Sequence, residues 1–250
     1  MKYLKKFETD SQYESYINGG GVVLPNVSLC KQENEVHYNP IDPYGGHDYV
    51  EIGGLKWATM NVGANSVTDT GLYYQWGDTQ GYTAEQVGSG EGQKYFGWED
   101  YKYGNGTSSP GSTGMTKYNS TDGKTVLDVS DDAATAAWGG NWRMPTTVEF
   151  AALGASVNTA WTTNYQGSGV SGFVLTDKAD NTKVLFFPTC GYASNGDVFS
   201  KNFGCYYYSS SLYGSYTIYA YYIELSGNIK SWERLGLDRN YGMAIRPVAD

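Results

Sequence analysis

The sequence predicts an α+β fold of many short strands with two short helices and long loops. Three observations lead there. The 250 residues include 33 Gly and 24 Tyr but only 17 Lys+Arg, a loop-rich, β-leaning composition rather than that of a helical bundle. The apolar runs are short and are bounded by Gly, Pro, Asn and Asp. Helix start and stop signals coincide at two places only. The length suits one large domain with a small appendage.

Residues 1–45 differ from the rest. Lys2 to Tyr16 reads as a short amphipathic helix ended by Gly19-Gly20-Gly21. Val22 to Leu29 reads as a strand interrupted by Pro25, hence an edge strand. His37 to Gly46 reads as a turn-rich linker. A main domain, residues 46–250, follows. Tyr49-Val50-Glu51-Ile52 and Leu55-Lys56-Trp57-Ala58 flank Gly53-Gly54, a tight hairpin signal. Leu72 to Asp78 reads as an aromatic strand. Residues 79–125 form a long irregular stretch, a length expected of a functional or mobile loop. Ser130 caps a helix that runs to Trp138 and stops at Gly139, and Thr146 or Thr147 caps a second through Leu153. Strands are expected at Gly172–Thr176 and Lys183–Pro188.

Eight of the seventeen residues from Tyr206 to Tyr222 are tyrosine. The run alternates poorly and is interspersed with Ser and Gly, the composition of antibody binding loops. There tyrosine supplies rigid amphipathic contact at low entropy cost. Recognition is the preferred reading, against a tyrosine-rich sheet with half-buried rings.

Charge narrows the partners. A net charge of −9 disfavours nucleic acid, which needs clustered Lys and Arg, and an anionic membrane surface. The basic N-terminus lacks the apolar core of a secretory signal, and no apolar stretch reaches spanning length.

Several motifs occur in order: Ile52 to Ala64, Tyr74-Gln75-Trp76-Gly77-Asp78-Thr79, Gly140-Asn141-Trp142-Arg143-Met144-Pro145-Thr146 with Glu149-Phe150, Phe187 to Tyr192, Tyr207 to Ser211, and Tyr241 to Val248. Together they resemble the major paralogous domain abundant in Fibrobacter and Bacteroidetes, over roughly residues 49–248. The resemblance implies a C-type-lectin-like fold of the formylglycine-generating-enzyme branch, with short twisted antiparallel strands. Within that group the tyrosine-rich end is similar to the variable proteins of diversity-generating retroelements, which include phage receptor-binding proteins. It implies a variable-type region over about residues 204–248.

On that resemblance the ligand-binding candidates are the side chains expected to face outward between frame motifs: Tyr206, Tyr208, Leu212, Tyr213, Ser215, Tyr216, Tyr219, Tyr222, Ile229, Trp232, Arg234, Leu237 and Asn240. Adenine-directed mutation of an Asn codon ending in a pyrimidine reaches Tyr, Ser, Leu, Ile and Arg but not Trp, Lys or Glu. Glu224, Lys230, Trp232 and Glu233 therefore fit it badly. Tyr208 stands where that domain usually has Trp, which leaves it frame or variable. Trp142 is expected in the core, Arg143 beside a carboxylate, and Arg246-Pro247-Val248 closing a sheet.

No catalytic residue, metal ligand or cofactor is assigned. The two histidines, His37 and His47, read as partly exposed surface residues. Cys190 and Cys205 do not sit in the cysteine motif of the formylglycine-generating enzymes; they could pair, or serve as small buried hydrophobes. The calcium-lectin motifs are missing. Asp128, Asp131 and Asp132 suit helix capping better than a structural cation. Gly88-Ser89-Gly90-Glu91-Gly92 reads as a flexible loop, not a phosphate cradle. The expected partner is a protein or glycan on a cell surface, with no nucleic acid and no membrane insertion. Residues 1–45 are expected to serve homo-oligomerisation or virion attachment, in a phage tail or an adhesin exported without a Sec signal. The competing readings are a fixed adhesin or structural subunit and, less favoured, an enzyme of the formylglycine-generating group.

Overall fold

A computed structural model describes residues 27–32, 35–40, 42–226 and 229–250; at 27–32, 35–40, 229–231, 233 and 234 it describes the backbone alone. The chain divides into two units, Met1–Gly46 and His47–Asp250.

In the first unit, β1 (Val27–Gln32) and β2 (Glu35–Pro40) form an antiparallel hairpin in the register Val27 to Pro40. His37 to Pro40 are therefore strand residues, not linker. Pro40 ends the strand, where its missing N–H costs least. The turn signal acts further on: the Asp42 carboxylate accepts from the backbone N–H groups of Tyr44 and Gly46. The expected Lys2–Tyr16 helix lies outside the described residues, as does the first part of the Val22–Leu29 strand.

The second unit consists of small antiparallel sheets with two helices. β3 (Tyr49–Ile52) and β4 (Leu55–Ala58) form the expected hairpin. Gly53 and Gly54 both adopt left-handed φ, 64° and 83°, as a two-residue hairpin turn requires. β13 (Val248–Ala249) pairs with β4 on its other side, so Arg246-Pro247-Val248 does close this sheet.

The first helix, α1 (Ala133–Trp138), stops at Gly139 with φ 64°. Its cap is Asp132 rather than Ser130: the carboxylate accepts from Thr135 N at 2.9 Å and Met144 N at 2.8 Å. α2 (Thr147–Ser156) carries a capping box, Thr146 and Glu149 each accepting from the other's backbone N–H. Glu149 also accepts two hydrogen bonds from Arg143, at 2.9 and 2.7 Å. That is the carboxylate partner expected for Arg143.

β5 (Val157–Thr162), β6 (Gly172–Asp177) and β7 (Val184–Pro188) make a second sheet. β5 was not expected; it follows α2 with no intervening turn signal. β8 (Tyr192–Ser194) and β9 (Asp197–Phe199) form a small hairpin. β10 (Gly204–Leu212), β11 (Tyr219–Ser226) and β12 (Ile229–Asp238) form the sheet that carries the tyrosine-rich run. Leu72–Asp78 is not a strand. It is held by isolated bridges, Tyr73 to Tyr82 and Tyr74 to Met243, and its rings are buried regardless.

Two apolar cores meet at β10. Cys205 and Tyr207 enter one, with Trp57, Phe150, Phe173 and Phe187. Tyr206 and Tyr208 enter the other, with Trp76, Tyr118 and Met243. Two fully buried arginines stiffen these cores without a carboxylate partner among the described residues. Arg246 donates to the carbonyls of Ala58 and Phe186, both at 2.9 Å, with its guanidinium 4.6 Å from the Phe187 ring centroid. Arg239 donates to the carbonyls of Lys117 and Tyr118 and lies over Trp76 and Tyr101. Carbonyl dipoles and ring faces take the place of a counter-ion.

Among the described residues no helix is long and apolar enough to cross a membrane.

Candidate ligand-binding face

The structure divides the tyrosine-rich run at Leu212. All nine residues of β10 are buried, which overturns the outward placement of Tyr206, Tyr208 and Leu212. β10 lies between the two cores, and bridges from Val126, Gly191 and Ala244 cover the edge that β11 leaves open. A strand buried on both faces shows no polar–apolar alternation; its tyrosines satisfy their hydroxyls internally. Tyr207 donates to the Pro188 carbonyl and Tyr208 to those of Asp238 and Tyr241. Burial pushes both phenols well above their ordinary range.

Three further candidates are corrected on the same grounds. Tyr222 is buried in the second core. Asn240 is 2% exposed and donates to the Phe96 carbonyl at 3.0 Å. Trp232 is packed against the first core, over Gly154, where an added Cβ would lie 2.3 Å from the indole. Gly154 is thus what lets α2 approach β12. Leu237 is partly buried against the second core. Ile229 and Arg234 lie on β12, and their side chains are outside the described residues.

Tyr213, Ser215, Tyr216 and Tyr219 do reach solvent, Tyr216 at 60% exposure. Tyr213, Ser215 and Tyr216 sit on the connection from β10 to β11 and Tyr219 opens β11, where Tyr221 joins them. The Tyr213 and Tyr221 ring centroids are 4.8 Å apart; Tyr216 and Tyr219 each lie 6.2 Å from Tyr213 and 6.4 Å from each other. The Tyr213 ring covers Gly236, the cross-strand partner of Tyr221, where a Cβ would come within 2.5 Å of it. Glycine on β12 is therefore what seats this ring.

The backbone beneath is pinned. Two successive turns run from Tyr213 to Tyr219, Tyr216 N donating to Tyr213 O and Tyr219 N to Tyr216 O, and Tyr213 N closes back on Tyr219 O at 3.1 Å. Arg239 N donates to Ile218 O, and Thr217 Oγ1 to Ser112 O at 3.0 Å. Through Ser112 the long irregular stretch buttresses the tyrosine loop. That stretch is itself held at Asp131, which accepts from Lys102, Lys117 and Tyr118. Burial alone would raise the Asp131 carboxyl, but these partners outweigh it and hold it well below the usual range. Asp131 is thus an ion-paired strut, while Asp132 caps α1.

Among the described residues none of the four phenol hydroxyls of Tyr213, Tyr216, Tyr219 and Tyr221 has a hydrogen-bond partner. The site therefore presents a cluster of four rings whose hydroxyls are unpaired among the described residues, on a fixed backbone. Sequence reading missed Tyr221, whose parity along β11 was the available signal.

Cys190 and Cys205 are free buried thiols. Burial pushes the Cys190 thiol up to about 12 and raises Cys205 too. His47 is half-buried, its ring stacked on Trp138 at 3.7 Å. No group of three or more His, Cys, Asp or Glu side chains suited to a metal occurs among the described residues.

Comparison with protein-family models, with curated proteins and with solved structures finds no match.

Proposed function

We propose that this chain is a ligand-binding protein of the receptor-binding or adhesin type, displaying a tyrosine-rich surface on a C-type-lectin-like scaffold. The observation that carries this is the solvent-facing quartet of Tyr213, Tyr216, Tyr219 and Tyr221, with hydroxyls unpaired among the described residues, on and beside a hydrogen-bonded loop. Rigid tyrosines bind at low entropic cost, and a pinned backbone lowers the cost further. The ligand is a protein or glycan on a cell surface, and residues 1–45 attach the domain to a neighbouring subunit or a virion, where repetition adds avidity. Diversification of the loop residues belongs to this proposal.

Support against an enzyme of the formylglycine-generating type comes from the thiols. A nucleophilic cysteine needs a lowered pKa and access, whereas Cys190 and Cys205 are buried and shifted the other way.

The test has two arms. Binding of the intact protein to arrayed glycans and to candidate host cells is compared with that of Tyr216→Ala and Tyr219→Ala. Loss of binding in variants that melt normally is expected; unchanged binding removes the loop from the site. Sequencing the 3′ end of the gene across isolates addresses diversification. Changes confined to adenine-templated codons at Tyr213, Ser215, Tyr216 and Tyr219, beside a second copy of the region, are expected. An invariant end leaves a fixed adhesin.

A further inference from the structure

A second aromatic surface is assembled from separate strands. Tyr192 of β8 stacks on Tyr241 at 5.7 Å with planes 5° apart, and meets Tyr206 of β10 edge-on at 5.0 Å. Phe199 of β9 lies 5.6 Å from Tyr192, and Tyr222 of β11 lies 6.1 Å from Tyr206. Phe199 is 42% exposed; Tyr192 and Tyr241 are half-buried, and Tyr206 and Tyr222 are buried at 8% exposure each.

Glu224 lies at the margin of these rings. Its Oε1 accepts from Tyr206 at 3.1 Å and from Ser226 at 2.7 Å. Its other oxygen, Oε2, has no hydrogen bond, and the carboxylate has no ion pair, among the described residues. Its cross-strand partner is Ser231, not a cation. Burial first, and then the nearby Glu224 charge, raise the Tyr222 phenol; burial, Tyr241 and Glu224 raise that of Tyr192. The patch therefore combines the half-buried rings of Tyr192 and Tyr241 with a carboxylate that has no ion pair among the described residues.

Such a combination selects an organic cation. A primary ammonium brings three strongly hydrated N–H donors, which lose water partners when the group is set against ring faces. A quaternary ammonium brings no donor, so it meets rings and carboxylate without leaving a polar group unsatisfied. We propose that the face formed by Tyr192 and Tyr241 beside Glu224 is a binding site for a trimethylammonium group, its methyl shell against these rings and its charge against the carboxylate. This site does not rest on the tyrosine loop described above.

The experiment is a calorimetric titration of the intact chain with choline chloride, repeated with 3,3-dimethylbutan-1-ol, its uncharged isostere, and with Nα-acetyl-lysine methyl ester. Saturable millimolar binding of choline is expected, with at least tenfold weaker binding of the isostere and of the lysine analogue. Glu224→Gln keeps the acceptor for Tyr206 and Ser226 and removes the charge; it should weaken choline at least tenfold at an unchanged melting temperature. Tyr192→Leu keeps apolar packing and removes a ring face, and should weaken choline at least threefold. Absence of saturation, equal binding of the neutral isostere, tighter binding of the lysine analogue, or an unaffected Glu224→Gln variant would each overturn the proposal. Retained choline binding in Tyr216→Ala is expected, which separates this site from the loop.

Discussion

The two halves of the tyrosine-rich run put one residue type to opposite uses. Between Tyr206 and Tyr208 the rings fill two cores; the hydroxyls of Tyr207 and Tyr208 are spent on backbone carbonyls and that of Tyr206 on the Glu224 carboxylate. Between Tyr213 and Tyr221 the rings lean on one another over Gly236, with their hydroxyls unpaired among the described residues. A phenol in the interior must find a partner, because an unsatisfied buried hydroxyl is costly. A phenol at the surface is satisfied by water and can exchange it for a ligand. The difference teaches that tyrosine density alone does not mark a binding surface; the fate of the hydroxyl does.

The largest test of that contrast is truncation. Tyr208→Ala should destabilise by ~3–5 kcal/mol, as other aromatic-to-Ala core truncations do, whereas Tyr216→Ala should stay within about 0.5 kcal/mol of the parent. Urea melts of both variants measure this, and comparable losses would erase the distinction between the halves. Asp131→Asn comes next. It leaves Lys117 and Lys102 without their buried carboxylate, and about 2 kcal/mol should be lost, the scale of hydrogen bonds to charged groups.

The same residue sets an acid limb. Its carboxyl is depressed in the folded state, so the stability it contributes is present above the unfolded value of about 4 and is lost as pH falls through the folded value. The parent should lose stability toward acid more steeply than Asp131→Asn; parallel limbs would remove Asp131 from the strut. At the alkaline end the sign reverses. Tyr207 and Tyr208 are raised, so their contribution is complete below the unfolded value of about 10 and declines as pH rises toward the folded value. Their tyrosinate absorbance should appear only together with loss of the folded circular-dichroism signal.

The smallest effect sharpens the comparison by one atom. Tyr207→Phe should cost about 1–2 kcal/mol through the lost hydrogen bonds to Pro188 and from Asn61, and Tyr213→Phe should be neutral in the same melt. An equal cost in both would mean that the Tyr213 hydroxyl has a partner in the fold.

Much of the frame was legible because its signals are local. The Gly53-Gly54 hairpin, the Thr146–Glu149 capping box, the Gly139 stop and the strands near Phe173 and Phe186 each depend on residues within a few positions of one another. Where a signal was local but ambiguous the reading slipped: Asp132 displaced Ser130 as cap because its carboxylate also reaches Met144. β5 was missed because nothing punctuates its junction with α2. Of the candidate residues, Tyr213, Ser215, Tyr216 and Tyr219 reach solvent as expected, since Gly214 and Ser215 turn the chain between strands there. Tyr206, Tyr208, Leu212, Tyr222 and Asn240 were misplaced, because what covers them comes from residues scattered between Val62 and Ile245.

By itself, then, the sequence determined the composition of the surface, the turns, both helices and an α+β architecture of short strands, all consequences of backbone preference and neighbouring side chains. Only the tertiary structure decided which tyrosines face water. That choice belongs to whatever packs on the second face of β10, and no pattern within β10 can report it. It also decided that Tyr192, Tyr241 and Glu224, far apart in the chain, share one surface, because strand pairing and ring stacking act across space and leave no periodic trace along the sequence.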